Sequence, residues 1–456
     1  MHDKKTRPAL TAEALADPPT SATARPRSNA SRRESFAEFI RGDLPRWALV
    51  RHRMDAAEVA DVAAAVGAAL EPVRAAIEPG SRVCLAVGSR GIDRIDEVVR
   101  AAVAWVRAAG AEVFVVPAMG SHGGATPEGQ LEVLASYGIT PESIGCEIRS
   151  SMETVELGEV RPGLPVFVDR NTFEGADVIV PINRVKPHTD FRGAIESGLM
   201  KMIAIGLGKQ RGADTFHRQG FATFHELIPA VAEFTASKVN IPFGLALVEN
   251  GYARLWRIEA VPCARLRERE RELLVMARER MARLPLGSID VLVVDYIGKD
   301  ISGLGMDSNV VGRYYAGPNG AGPNIQRIVV RDLTVETEGN AVGIGMADVA
   351  LRRAVEKMDA HKTYMNCITA KTPEGARVAL TVDTDRQALS VAIACCLKVE
   401  PPDARIVRIR DTKHLELLYV SEPALDEVLA TGRCEIAQPL EAIEFDRDGM
   451  FASSTE

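Results

Sequence analysis

The sequence predicts an α/β fold of two domains, each with a mostly parallel sheet covered by helices. Three observations predict it. Short apolar runs alternate with helical patterns along most of the chain, as expected of strands buried on both faces. At 456 residues the chain is longer than one ordinary core accommodates. Apolar residues make up 46% and charged residues 26%, which is globular composition.

The elements follow in order. Residues 1–40 mix Pro, Ser, Thr, Ala and Arg without a period and read as a flexible tail. Ala56 to Ile77 has helical spacing, with a break expected near Pro72. Arg82 to Val87 is an apolar strand that stops at Gly88. Arg94 to Ala109 is helical, and Glu112 to Pro117 is a strand. Thr126-Pro127-Glu128 opens a helix: Thr caps, Pro suits the first turn, and Glu suits the positive end. Asp177 to Ile182 is a further strand. Cys263 to Leu284 is a charged helix whose run Arg267 to Glu272 predicts a solvated face of local ion pairs, such as Arg267 with Glu270. A second α/β block starts at Ile289–Val294 and continues through strands near Ile325–Val330 and Ala376–Val382. The expected organisation is a tail (1–40), an N-terminal α/β domain (41–262), a linking helix (263–285), a C-terminal α/β domain (286–445) and a tail (446–456). No internal repeat is visible.

Composition excludes several classes. The net charge of −7 is mild and unfocused, which argues against a nucleic-acid partner. No run of eighteen apolar residues predicts a membrane span, and no secretory signal is expected. Seven scattered cysteines without a CxxC pair point to small buried hydrophobes in a reducing cytoplasm.

Eight histidines occur, and two lie in loops suited to chemistry. His122, in Gly120-Ser121-His122-Gly123-Gly124, follows a strand and precedes a helix; it either faces a ligand or caps the turn. His188, in Arg184-Val185-Lys186-Pro187-His188, also follows a strand. Two cations beside it suit a carboxylate substrate, and a basic surface turn is the alternative. Lys201 sits among Leu199, Met200, Met202 and Ile203. Burial there would make its amine nucleophilic, unless it snorkels to solvent. His217 alone reads as a structural histidine or a metal ligand. His225 is expected at a helix start, and His2, His52, His361 and His414 at the surface. Gly206-Leu207-Gly208-Lys209 lacks the spacing of a phosphate loop.

Together these segments resemble the lactate racemase family over roughly residues 45–350. Members carry a nickel-pincer nucleotide, pyridinium-3,5-bisthiocarboxylic acid mononucleotide nickel. The resemblance rests on Ser197-Gly198-Leu199-Met200-Lys201, which matches the family's Ser-Gly-Gly-x-Lys with Leu199 in place of Gly. It rests also on a histidine sixteen residues later, His217, and on His122 and His188 in the same order. It implies Lys201 as the cofactor tether, with Ser197 and Gly198 beside it, and His217 as the nickel ligand. It implies His122 and His188 as the acid–base pair. Ser89 and Arg90 would hold the cofactor phosphate, although the family's Asp is missing there. Met306-Asp307-Ser308-Asn309 keeps only the ends of the family's Asp-Gln-Asn. The stretch after His188 is about three residues longer than the family's.

The expected activity is that of an isomerase. It would be a 2-hydroxy-acid racemase or epimerase working by hydride transfer, with its active site in the interdomain cleft. Arg184, Lys186 and Lys299 are candidates for the substrate carboxylate. Expected partners are the small-molecule 2-hydroxy acid and the cofactor-biosynthesis proteins. Alternatives are a metal-assisted lyase or dehydratase of the same fold without the pincer, and a non-catalytic nucleotide- or metal-binding protein.

Overall fold

The computed structural model describes residues 36–39, 42–88, 91–314 and 322–455. The tail expected over 1–40 falls mostly outside them, and Ser89 and Arg90 lie outside them as well.

The chain enters through β1 (Trp47–His52), then forms β2 (Arg82–Val87) and β3 (Glu112–Pro117). A hairpin of β4 (Thr154–Arg161) and β5 (Leu164–Asp169) follows, then β6 (Val178–Arg184), β7 (Phe243–Glu249) and β8 (Leu255–Pro262). One sheet has the order β3-β2-β6-β7-β8 and is parallel except for β8. Its two faces are covered by separate clusters of buried side chains, so its parallel strands are mostly apolar.

The rest of the chain supplies β9 (Ser288–Ile297), β10 (Asn324–Leu333), β11 (Val349–Leu351), β12 (Leu380–Val382), β13 (Ile406–Ile409), β14 (Leu417–Ser421) and β15 (Cys434–Glu441). The second sheet runs β12-β11-β10-β9-β13-β14-β1-β15. Its five strands from β12 to β13 are parallel, and the remaining three pair antiparallel. The expected α/β class with mostly parallel sheets is what the structure has.

Each sheet reverses its winding once. Beside β2 the chain first moves out to β3 and later returns to add β6. Beside β9 it moves out to β10 and later returns to add β13. Such switch points leave a crevice at the carboxyl ends of the strands, because the connections on either side diverge.

Several local expectations are corrected. The helix expected from Ala56 begins at Val62, because the Asp61 side chain accepts the Ala64 N–H and caps it there. A tighter helical segment, Glu71–Ala76, follows, with Pro72 in its first turn. The strand expected over Ala376–Val382 is only β12, since Pro373–Ala376 forms a tight helical turn. Residues 446–455 are not a loose tail. Phe451 packs on Trp47 with ring centroids 5.3 Å apart, and its N–H donates to Asp385. The Thr455 hydroxyl donates to Asp295 at 2.6 Å. Asp295 and Asp385 are buried and are satisfied there together with Arg331 and Arg408. His52 is buried rather than at the surface: its strand joins the second sheet and its Nδ1 meets the Leu415 carbonyl.

The charged helix Leu266–Arg280 holds a further surprise. Glu270 was expected on a solvated face, and it is 1% exposed. Leu266, Glu270, Leu273, Leu274 and Ala277 form the buried face, so Glu270 occupies an apolar position at helical spacing.

Candidate active site

One cavity of about 340 Å³ is lined from the carboxyl ends of both sheets. From the first sheet come Gly88 after β2, Met119 to His122 after β3, Asn183 to Asp190 at and after β6, and Glu249 to Gly251 at β7. From the second come Lys299 to Leu304 after β9, Val342 after β10, and Thr412 and Lys413 after β13. The cavity thus faces both switch points.

Local chemistry places each candidate. His122 follows β3 in a turn that needs glycine. Gly123 has φ 65°, and a Cβ there would stand 2.5 Å from the backbone of Gly129. Buried Gln130 donates to the carbonyls of Gly120 at 2.9 Å and His122 at 3.3 Å. The Gln130 side-chain oxygen accepts from Lys209 at 3.1 Å, and Lys209 also donates to the Pro117 carbonyl at the end of β3. Lys209 is fully buried, 3.4 Å from buried Asp169. Burial pushes the Lys209 amine down and the Asp169 carboxyl up, each opposed by the other's charge. Lys209 therefore works as a structural cation, not a phosphate ligand. It ties the start of the helix Lys209–His217 to the His122 turn.

His188 reaches the same cavity through a pinched loop. Lys186 and Ser197 exchange backbone hydrogen bonds of 3.0 and 3.2 Å, closing residues 187–196 into a loop. Glu196, 0% exposed, accepts the His188 N–H at 2.6 Å, the Gly193 N–H at 2.9 Å and the Arg278 guanidinium at 2.6 Å. Arg192 donates to the His188 carbonyl at 2.6 Å and to Asn309 at 2.5 Å. Asn309 and Ser308, which follow β9, donate to the carbonyls of His188 and Thr189.

The Lys201 segment lies against this loop. Asn183, at the end of β6, donates to the Gly198 carbonyl at 2.8 Å. Glu270 accepts the Met200 N–H at 2.9 Å, and a Cβ on Gly198 would stand 2.4 Å from its carboxylate. Glycine at 198 is thus required by a close approach, not by an unusual backbone angle. Burial pushes the Glu270 carboxyl up to about 7 from 4.5, against the amides of Met200 and Leu199. After Lys201 the helix widens into a π turn, Met202–Gly206, of the kind that concentrates at functional sites.

The outcome is a contact that the sequence could not reveal: the Lys201 amine lies 2.6 Å from His188 Nε2. His217 lines the same cavity, its ring edge-on to Phe221 and beside Phe224. Burial foremost, then the charge of Lys201, pushes its imidazole down to about 4 from 6.5, so the ring is neutral at pH 7.

Residues 45–226 match the family model described as the lactate racemase N-terminal domain. The lactate racemase apoprotein of Thermoanaerobacterium thermosaccharolyticum is similar in structure at 12% identity and a TM-score of 0.43, covering 81% of this chain and 89% of that one. No curated protein matches the chain. The matched segment contains His122, His188, Lys201 and His217, whereas Lys299 lies beyond it.

The three cations named for a substrate carboxylate also line the cavity, each with a protein partner. Arg184 pairs with Glu249. Lys186 lies 3.2 Å from Asp307, and Lys299 donates to the Gly303 carbonyl and to Asn366. Partial burial pushes the Lys186 amine down, against the pull of Asp307. Burial acts to raise the Asp307 carboxyl, but Lys186 and Asn309 outweigh it and leave it below its ordinary value. Asp190, Glu196 and Glu270 were given no functional role by sequence reasoning, and Asn309 was noted only as the end of a family motif. Among the described residues no helix is long and apolar enough to cross a membrane.

Proposed function

We propose that this chain is an isomerase that inverts the carbinol carbon of a 2-hydroxy acid. The observation that carries the reading is the gathering of His122, His188, Lys201 and His217 around one cavity, in a segment matched by the lactate racemase N-terminal domain.

A nickel-pincer nucleotide fits the residues present. His217 offers a neutral imidazole, the form that binds a metal. Lys201 offers an amine for a covalent tether, and His217 a ligand. When bound, this group would supply the acceptor and donor of hydride.

The protein's own residues would orient the acid and move its hydroxyl proton. Lys186 and Lys299 would meet the carboxylate. His122 and His188 would each serve one enantiomer, taking the hydroxyl proton on one side and returning it on the other. Positioned proton transfer of this kind contributes about 10²–10⁴-fold. His188 is equipped for both directions. Its Nδ1 accepts the Asp190 N–H at 3.0 Å, which suits a proton on Nε2, and the Asp190 carboxylate lies 3.6 Å away, ready for a proton on Nδ1.

The test is inversion of single enantiomers of lactate, malate and longer 2-hydroxy acids, read by chiral chromatography. The protein should be made together with nickel and the cofactor-biosynthesis proteins. Inversion of at least one acid is expected, lost in His122→Ala and in His188→Ala. Wild-type turnover in both variants would remove the two-histidine assignment.

A further inference from the structure

The contact between Lys201 and His188 has the form of an activated nucleophile. A nucleophile within hydrogen-bond reach of a base, with that base oriented by a third group, is the arrangement that makes covalent catalysis possible. Here the nucleophile is the Lys201 amine, the base is His188 Nε2 at 2.6 Å, and the orienting residue is Asp190 at the far side of the ring.

The surroundings support this over a chance surface contact. His188 and Asp190 are 8% and 7% exposed. The His188 ring packs against Phe191 at 4.4 Å, tilted by 31°, with Phe221 at 6.1 Å, so the imidazole is held by aromatic neighbours. The backbone just before Lys201 is held by Glu270, which accepts the Met200 N–H and lies where a Cβ at 198 would stand. The amine therefore meets the imidazole at the wall of the cavity.

We propose that Asp190, His188 and Lys201 form an acyl-accepting relay, so that the chain catalyses the acylation of its own lysine. The acyl donor is an activated aromatic carboxyl or thiocarboxyl group. The inference rests on the reading of Lys201 as a tether and adds how the tether forms. The Lys201 nitrogen attacks the acyl carbon, and a C–N bond forms. The bond from that carbon to its leaving group breaks. In the tautomer with its proton on Nδ1, facing the Asp190 carboxylate, His188 takes one proton from the amine at Nε2 and delivers it to the leaving group. An acyl compound and an amine become an amide, or a thioamide, and the protonated leaving group, with no change of oxidation state. The amide nitrogen no longer carries a basic lone pair, which releases His188 for the substrate hydroxyl. One imidazole thus serves loading first and turnover afterwards.

The test needs neither nickel nor turnover. Purified full-length protein, free of cofactor, is treated with the p-nitrophenyl ester of nicotinic acid. Nitrophenolate release is followed, and the modified lysine is located by peptide mass spectrometry. Lys201 is expected to label at least tenfold faster than any other lysine in the chain. His188→Ala should lower the Lys201 rate at least tenfold, and added imidazole should restore part of it, which a merely structural role would not allow. His188→Gln, which keeps a polar side chain and relays no proton, should fall equally, and it decides the matter if the alanine variant unfolds by circular dichroism. Asp190→Asn should give a smaller fall. Labelling of Lys201 no faster than the other lysines, or unchanged in folded His188 variants, overturns the relay. Its failure leaves the racemase reading standing if chiral inversion is observed. Absence of inversion alongside fast, His188-dependent labelling removes that reading and keeps the relay.

Discussion

The loops bearing His122 and His188 leave β3 and β6, the two strands that flank β2, and they are held in opposite ways. The His122 turn is built from glycines and secured from beneath, inside the first sheet's own layer. Gln130 grips its carbonyls, and Lys209 grips Gln130. The His188 loop is charged and clamped from two sides. Glu196 ties it from within, Arg278 holds it from the helix Leu266–Arg280, and Asn309 and Ser308 hold it from the segment after β9. One imidazole is thus fixed by a single layer, and the other only where both layers meet. Any relative movement of the two layers would carry His188 differently from His122.

The largest effect expected from this contrast is at Lys209. In Lys209→Met, Asp169 stays buried without its cation. Breaking such a pair costs about 3–5 kcal/mol, and urea unfolding should show it. A loss under about 1 kcal/mol would mean that the glycine turn holds itself and the buried cation is incidental. The double variant Lys209→Met, Asp169→Leu should recover part of the loss, because no buried charge remains.

A smaller effect sharpens the other half of the comparison. Asn309→Ala removes a donor to the His188 carbonyl and a partner of Arg192. The cost in stability is about 1 kcal/mol, that of a hydrogen bond or two near a cavity wall. Hydrogen exchange should tell more than stability does. Backbone amides of residues 186–197 should exchange faster, and those of 118–125 should not change. Equal acceleration in both loops would show that they move as one body and would end the distinction.

Much of this site was legible in the sequence, and the reasons are physical. His122 and His188 stand just past apolar runs, next to glycine or proline, where a parallel sheet presents its carboxyl ends. The residues that hold these histidines in place were less legible. Asp190 contacts the imidazole two residues back through a local turn, inside a loop closed by a Lys186–Ser197 pairing that no periodicity announces. β1 could not be placed because it lies at the start of the chain and pairs with β14 and β15 near its end. Glu270 is a different case. Its charged neighbours Arg269 and Arg271 suggested a solvated face, whereas counting in steps of three and four from Leu266 to Leu273, Leu274 and Ala277 puts it on the apolar one. The signal was present and local charge alternation masked it.

The smallest effect expected concerns that residue, and it tests whether the Lys201 turn is a third support, separate from the two loops. Glu270 titrates near 7 in the folded chain against an ordinary 4.5, with burial the main cause. The folded state therefore holds this proton more tightly than the unfolded state. Its contribution to stability is complete below pH 4.5 and is lost as pH rises through 7. Glu270→Gln removes the titration and keeps an acceptor for the Met200 amide. The stability of the variant relative to wild type should then rise from pH 4.5 to pH 8, read as the difference in urea midpoints at each pH. The effect is a slope, not an offset, so it survives whatever constant cost the amide brings. A flat difference across that range would mean that Glu270 is ionised throughout, and that the helix amides of Leu199 and Met200 outweigh its burial.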